Sequence, residues 1–351
     1  MTDAKAIGSP SETRSVQKYA RVALVTGATG AVGSRLVEAL SGEWAVRSLV
    51  RGGGESLPGE AARGDLSDLA SLERACAAAD TVFHLAALLH VVNPSADLES
   101  EYGRVNVEGT RNLVRAAERA GVRRFVHFST IAVYGPSSTT IDEETSTAPD
   151  TIYARTKLES ERIVLESAIP EPVVLRLAAV YGSHLKGNYR RLVRSLCAGR
   201  FVGIGKGANR RTLVHELDVA RAAVLAATHE AAPHQVFNVT DGALHDVSSI
   251  LEAISAALGR QAPRIQIPPS FVGGALSVAS AGQRLLGRKP TLGPWLLEKY
   301  LEDVRVSGEK IQRVLGYAPS MSLEEGWRET VDGMRGRGEL PERCSFLARI
   351  G

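Results

Sequence analysis

Tyr153 and Lys157 stand four residues apart, and Thr130 precedes them. At that spacing a tyrosine and a lysine share one helix face. The lysine cation there favours the phenolate and lowers the tyrosine pKa towards working pH. A phenol so tuned donates or takes a proton at a substrate oxygen, and the Thr130 hydroxyl can hydrogen-bond that same oxygen. Well upstream lies Thr26-Gly27-Ala28-Thr29-Gly30-Ala31-Val32-Gly33, with glycines at three-residue spacing. Such a run suits a dinucleotide pyrophosphate when a strand precedes it and a helix follows. The two sites together read as hydride transfer, in which a nicotinamide supplies the hydride while the protein orients and polarises.

The elements around the glycines fit that requirement. Arg21 to Thr26 is an apolar, β-branched run of the kind found in buried parallel strands. Val32, Leu36, Val37 and Leu40 then recur at helical spacing. Gly27 allows the tight turn, Gly30 lets the backbone approach the phosphates, and Gly33 lets the helix pack on the strand. The pyrophosphate sits at the N-terminus of the helix that Ala31 and Val32 open, where free N–H groups and the dipole favour negative charge. Val46 to Arg51 is a second strand whose end meets the adenine ribose. An acid there bonds the 2′-hydroxyl, whereas an arginine suits a 2′-phosphate. Arg51 therefore leans the NAD(P) assignment towards NADP(H), with Arg47 as an alternative ligand. Asp65 can accept from the adenine amino group, and Asp68 can cap a helix from Leu69. Thr81 to Ala87 is an apolar strand ending in small residues, where Ala86 and Ala87 let the backbone near the cofactor. His84, inside that run, reads as a core residue.

Strands expected near 21–26, 46–50, 81–85, 125–129 and 173–177 alternate with helical stretches, which predicts a doubly wound parallel α/β sheet with right-handed crossovers. A strand near 236–239 returns to the sheet. Residues 1–20 read as a flexible tail and 21–179 as a dinucleotide-binding domain rejoined by 213–241. Residues 180–212 and 242–340 read as a substrate-binding lobe. Pro136 to Pro149, rich in Ser, Thr and acids, reads as a loop beside the catalytic groups.

Composition narrows the function. Of 351 residues, 44% are hydrophobic and 23% charged, as in an ordinary globular protein. The formal net charge of +3 argues against binding a nucleic acid. The apolar stretch from Phe271 to Ala281 falls well short of the ~20 residues that span a membrane and reads as a buried helix. Cys76, Cys197 and Cys344 are scattered, without metal spacing or a disulfide framework. With no apolar leader, they favour a cytoplasmic protein.

Several motifs in order resemble the extended short-chain dehydrogenase/reductase family, which holds nucleotide-sugar epimerases, dehydratases and ketoreductases and 3β-hydroxysteroid dehydrogenases. They are the glycine run, Gly64-Asp65-Leu66, His84-Leu85-Ala86-Ala87, Asn106 to Thr110, Phe128 to Gly135, Tyr153 to Lys157, Leu175 to Gly182, and Arg210 to Ala220, with Leu315 to Trp327 near the C-terminus. The resemblance implies a Rossmann fold, with Thr130, Tyr153 and Lys157 catalytic and Lys157 also bonding the nicotinamide ribose. It brings Leu66, Leu85 and Ala178 near the cofactor and gives Asn106 the task of orienting the active-site elements. It implies that Arg211 contacts the diphosphate of a nucleotide-sugar, that Asn188 is a second contact to its nucleotide, and that the protein is a homodimer. Ile131 and Ala132 stand where the family's dehydratases carry a proton-transferring Asp-Glu. Leu177-Ala178-Ala179 lacks the asparagine of many 4-epimerases. A nucleotide-sugar 4-ketoreductase or 4-epimerase is the leading expectation. A 3β-hydroxysteroid dehydrogenase-like enzyme of a bulky apolar alcohol is the alternative, supported by Arg288 to Leu292 and the Val46–Arg51 strand.

Overall fold

The apolar runs become the strands of a seven-stranded, wholly parallel sheet. The computed structural model describes residues 21–52, 56–89, 96–184, 187–263, 266–274, 277 and 301–344. In chain order the first half holds β1 (Val22–Thr26), α1 (Ala31–Leu40), β2 (Ala45–Val50), β3 (Glu60–Arg63), α2 (Leu69–Cys76), β4 (Thr81–His84), α3 (Ala96–Tyr102), α4 (Gly109–Arg119), β5 (Arg124–Thr130) and α5 (Ile152–Leu165). There follow β6 (Glu171–Leu177), β7 (Ala179–Tyr181), α6 (Asn188–Cys197), β8 (Gly203–Ile204), β9 (Arg210–Arg211), β10 (Leu213–His215), α7 (Glu216–Thr228), β11 (Val236–Val239), β12 (His245–Asp246), α8 (Val247–Ala257), β13 (Gln266–Ile267), α9 (Glu309–Leu315) and α10 (Leu323–Gly336).

The sheet order is β3-β2-β1-β4-β5-β6-β11. Strand order reverses between β1 and β4, and in such sheets ligands bind outside the carboxyl ends of the strands at that switch point. The six strands expected from the sequence are all present, each within two residues of its expected bounds. Edge strand β3 was not expected, because Glu60-Ala61-Ala62-Arg63 lacks the β-branched run that marks a buried strand.

Both sheet faces are covered. On one, α1 buries Gly33, Leu36, Val37 and Leu40, and α7 adds its alanine-rich side. On the other, α4 buries Leu113, Val114, Ala116 and Ala117 with Leu72 and Ala75 of α2. Helix starts follow the side chains available. Asp68 caps α2, Thr151 caps α5, and Ser322 with Glu325 forms a capping box on α10.

A separate apolar cluster lies among α6, α8 and α10 around fully buried Trp327, whose ring stacks on Tyr181 at 4.6 Å. A polar seam joins it to the sheet. Arg35 of α1 donates to Glu216 Oε1 at 3.0 Å, to Ser183 Oγ at 2.7 Å and to Glu329 Oε1 at 3.0 Å. Among the described residues no helix is long and apolar enough to cross a membrane.

Two expectations are corrected. Cys197 and Cys344 form a disulfide, with Cα atoms 5.0 Å apart. They lie 147 residues apart, so sequence spacing alone could not report that the end of α6 meets the C-terminal segment. The bond also removes the cysteine-based case for a reducing compartment. Phe271 is 73% exposed rather than buried. The tail 1–20, Arg288 to Leu292 and most of Val272 to Ala281 beyond Gly274 lie outside the described residues.

Closing a long loop chiefly restricts the unfolded chain. Peptide mapping without reductant is expected to recover a Cys197–Cys344 pair. Cys197→Ser is expected to lower the unfolding free energy by about 2–4 kcal/mol, read from urea midpoints. Recovery of both residues as free thiols would contradict the bond.

Candidate active site

The glycine turn is built by close approach. Gly27 has φ +72°, and a Cβ on it would lie 2.8 Å from the Ala86 backbone nitrogen. A Cβ on Gly33 would lie 2.1 Å from the Gly27 carbonyl oxygen. Neither position admits a side chain without moving backbone. The Ala86 N–H donates to Thr26 Oγ1 at 3.2 Å and the Leu85 N–H to the Thr26 carbonyl at 3.2 Å, so the segment after β4, Ala87 included, follows the turn. Gly30 is the N-cap of α1 and offers no side-chain acceptor, and the first turn holds no acid. The opening N–H groups of Ala31 and Val32 are therefore donors for a phosphate. The residues present fit a dinucleotide.

At the adenosine end, Arg51 is exposed just beyond β2. It lines a concavity of about 410 Å³ with Arg63, Gly64, Asp65, Asp68, Ser71 and Arg74. The Asp65 carboxylate accepts from the Ser67 hydroxyl at 2.6 Å and the Ser67 N–H at 2.9 Å, and these bonds hold it below the usual carboxylate range. Leu66 packs against Gly109, and its carbonyl accepts from Asn112. Arg47, the alternative ligand, is committed elsewhere. It donates to Glu60 Oε2 at 2.8 Å and to the carbonyls of Ala75 and Ala77. Ala178 is buried where β6 meets β7, its N–H donating to the Val239 carbonyl at 3.0 Å.

The catalytic candidates meet at the carboxyl end of β5. Thr130 ends that strand and accepts from the Ala132 N–H at 3.2 Å. Its side chain is close enough to the Tyr153 phenol to favour the phenolate. Tyr153 and Lys157 lie on α5, one turn apart. Asn106, in a π-helical turn at Gly103–Glu108, ties these parts together. Its Oδ1 accepts from the Leu88 N–H at 2.7 Å, and its Nδ2 donates to the Leu88 carbonyl and to Thr156 Oγ1, both at 3.2 Å. The loop after β4 is thereby fixed to α5.

The electrostatics differ from the sequence expectation. Burial pushes the Tyr153 phenol up to about 12, with Tyr102 adding to the rise and the nearby Thr130 side chain opposing it. Burial pushes Lys157 down to about 8, with Glu161 opposing. The Lys157 ammonium is directed at His127 Nε2, 3.2 Å away. Desolvation of the phenol, rather than the lysine charge, sets its state here, and Tyr153 holds its proton.

Around this pair lie residues that the sequence reading passed over. Glu161, 1% exposed, takes Arg176 in a bidentate pair with a shortest contact of 2.7 Å, and the Ser129 hydroxyl donates to it. Arg176 stacks over the Tyr134 ring. His84, read as structural, is buried between Thr26 Oγ1 at 2.8 Å and Thr110 Oγ1 at 2.9 Å. A signal existed for Glu161, which lies four residues past Lys157 on the same helix face.

The two residues expected to meet a nucleotide-sugar lie on other elements. Asn188 is exposed at the start of α6. Arg211 is half-buried on β9, register partner of His245, with its charge in reach of the Tyr189 phenol.

Comparison with known proteins agrees with this geometry. The family described as "NAD dependent epimerase/dehydratase family" matches residues 23–240. The chain is 29% identical over 329 residues to a UDP-glucose 4-epimerase of Vibrio cholerae, covering 90% of this chain and 96% of the relative. It is 30% identical over 334 residues to a 3 beta-hydroxysteroid dehydrogenase/Delta 5-->4-isomerase of Mycobacterium tuberculosis, covering 88% and 89%. Among solved structures, MoeE5 in complex with UDP-glucuronic acid and NAD superposes with a TM-score of 0.71 at 29% identity, covering 90% of this chain and 99% of that one.

The buried imidazoles give the fold a pH dependence. Burial, then the Lys157 charge, pushes His84 down to about 3 and His127 well below its usual range. Unfolded histidines titrate near 6.5, so between about 3 and 6.5 the unfolded chain binds more protons. Stability is therefore full above pH 6.5 and falls as pH is lowered through that window. His84→Asn is expected to reduce proton uptake on unfolding near pH 5 by about one, read from the slope of unfolding free energy against pH. An unchanged slope would show that His84 is already protonated in the folded state.

Proposed function

The chain belongs to the NAD dependent epimerase/dehydratase family, and we propose that it is a 4-ketoreductase or 4-epimerase acting at the C4 hydroxyl or keto group of a nucleotide-sugar. The observation that carries this is the convergence of Thr130, at the end of β5, with the Tyr153 phenol that it influences and with Lys157, buried one turn along α5. The nicotinamide, when bound, supplies or accepts the hydride. Tyr153, which holds its proton in this state, donates it to the substrate oxygen in reduction and takes it back in oxidation. Thr130 hydrogen-bonds the same oxygen and orients it. The Lys157 cation stabilises the phenolate that is left. Ile131 and Ala132 offer no proton-transferring group for a dehydration.

Support for the nucleotide part comes from Arg211, because a diphosphate needs charge neutralisation and a guanidinium pairs with it bidentately. The UDP-sugar in the MoeE5 structure supports the same class. Exposed Leu89 favours a second reading, a dehydrogenase of a bulky apolar alcohol. It is 60% exposed, and its carbonyl accepts from Tyr102, whose ring lies 6.3 Å from that of Tyr153. The expected homodimer, paired through the helices near Asn106 and Tyr153, belongs to the same proposal.

Tyr153→Phe is expected to lower kcat by about 10²–10⁴-fold while cofactor binding, followed by nicotinamide fluorescence, stays within twofold. Retained turnover would remove Tyr153 from the chemistry. Arg211→Ala is expected to weaken UDP binding by about tenfold or more by calorimetry, the loss of a charge-assisted contact. No binding of UDP by the parent protein would favour the apolar alcohol.

Within the family's NAD dependence we further propose that the adenosine site takes the 2′-phosphate of NADP(H). Arg51 lines the concavity there with Arg63 and Arg74. Arg51→Ala is expected to raise the Kd for NADPH about tenfold, a charge-assisted contact, and to leave that for NADH nearly unchanged. Equal effects on both, or tighter binding of NADH by the parent, would reverse the assignment.

A further inference from the structure

We infer that His127 is a positioning residue for the catalytic lysine, its Nε2 lone pair holding the Lys157 ammonium at the floor of the site. This rests on the proposed role of Lys157 beside Tyr153. The geometry is a fixed buried contact. His127 Nε2 lies 3.2 Å from Lys157 Nζ, and the two side chains are 0% and 3% exposed. His127 lies on β5 as the register partner of His84 on β4, and their rings are 5.3 Å apart. His84 has both ring nitrogens bonded, to Thr26 and Thr110, so it cannot also take the lysine.

The choice of ring nitrogen follows from chemistry. An ammonium only donates, so Nε2 must carry the lone pair and Nδ1 the proton. Nδ1 is buried with no partner among the described residues. An orphaned buried N–H costs roughly 1–3 kcal/mol. A histidine kept only for packing would avoid that cost by flipping or by giving way to an aromatic residue. The contact with the cation is what offsets it.

The charged and titratable groups around Lys157 are His127 from β5, His84 from β4, and Tyr153 and Glu161 from its own helix, with Glu161 also bound by Arg176 from β6. Glu161 already favours the ammonium. A neutral acceptor at His127 adds to this, and removing it favours the uncharged amine. The protonated lysine is present below its pKa and lost above it, so the variant loses the cation at lower pH.

The test uses the full cofactor-free chain, labelled at lysine side chains, with the Lys157 signal assigned through Lys157→Gln and followed by NMR against pH. In the parent protein, Lys157 is expected to titrate near 8. In His127→Phe it is expected to titrate about one unit lower or more, and His127→Gln, whose amide oxygen can accept, is expected to restore it. In turnover, His127→Phe is then expected to lose about fivefold in kcat at pH 8 and little at pH 6, with KM unchanged, since one unit changes the protonated fraction from half to about a tenth. An unshifted Lys157 titration in folded His127→Phe overturns the inference. If that variant does not fold, imidazole ¹⁵N shifts of the parent decide. The proton on Nδ1 supports the inference, and the proton on Nε2 overturns it. Retained turnover in Tyr153→Phe would sink the catalytic proposal alone, because the titration does not depend on it.

Discussion

Lys157 brings a charge into the seam between the sheet and α5, where it is 3% exposed. A buried ammonium is expensive unless it is paired and hydrogen-bonded. Much of the surrounding structure answers that constraint. Glu161 lies one turn along the same helix, and its own charge is met by Arg176 from β6 and by Ser129 from β5. Arg176 in turn lies over the Tyr134 ring, whose hydroxyl donates to Asn238 of β11 at 2.9 Å. One helix position thus draws on three adjacent strands. Removing Glu161 or Arg176 would leave the other as an uncompensated buried charge, commonly a cost of about 3–5 kcal/mol. The network fixes the rotation of α5 on the sheet, and that rotation presents Tyr153 to Thr130.

Position along the helix axis is set separately. Asn106 reads Leu88 and Thr156 at once, and the Ser160 hydroxyl donates to its carbonyl at 2.7 Å. The loop after β4 packs on the Gly27 turn, so the glycine turn and α5 are tied to each other through the Asn106 side chain. Fixing such separations matters because a small displacement of positioned groups costs far more rate than the loss of a peripheral contact.

What could be read from the sequence follows from which signals are local. Strand runs, the glycine turn and the Tyr153/Lys157 spacing depend on neighbours within one element, and each matches an element that formed. Edge strand β3 carried no hydrophobic signal, and the short strands β8, β9, β12 and β13 have too few residues to make one. The Cys197–Cys344 bond joins residues that only the fold brings together. The tyrosine pKa was misjudged for a related reason. Helical spacing shows that Lys157 can face Tyr153, but not that His127, on a strand 30 residues earlier, takes its ammonium. Burial is a tertiary quantity, and it reversed the sign of the shift. His127 itself stands in an otherwise apolar run, where a lone histidine reads equally well as packing.

The sheet with its covering helices and the cluster around Trp327 are two bodies of structure that meet at a polar seam. The sheet and its helix α5 carry Thr130, Tyr153 and Lys157, whereas Asn188 and Arg211 lie on α6 and β9 beside a core built on Trp327. Arg35 crosses between them, bonded to Glu216 and Glu329, and it projects from the helix whose N-terminus faces the cofactor crevice. A substrate that bridges the two must meet both at a set separation. An apolar core can repack around a changed surface, whereas the part-buried Arg35 contacts depend on the direction of each hydrogen bond. Relatives named as a UDP-glucose 4-epimerase and as a 3 beta-hydroxysteroid dehydrogenase/Delta 5-->4-isomerase both match this chain over most of its length, so what each acts on is decided by side chains placed on a shared frame rather than by the frame itself.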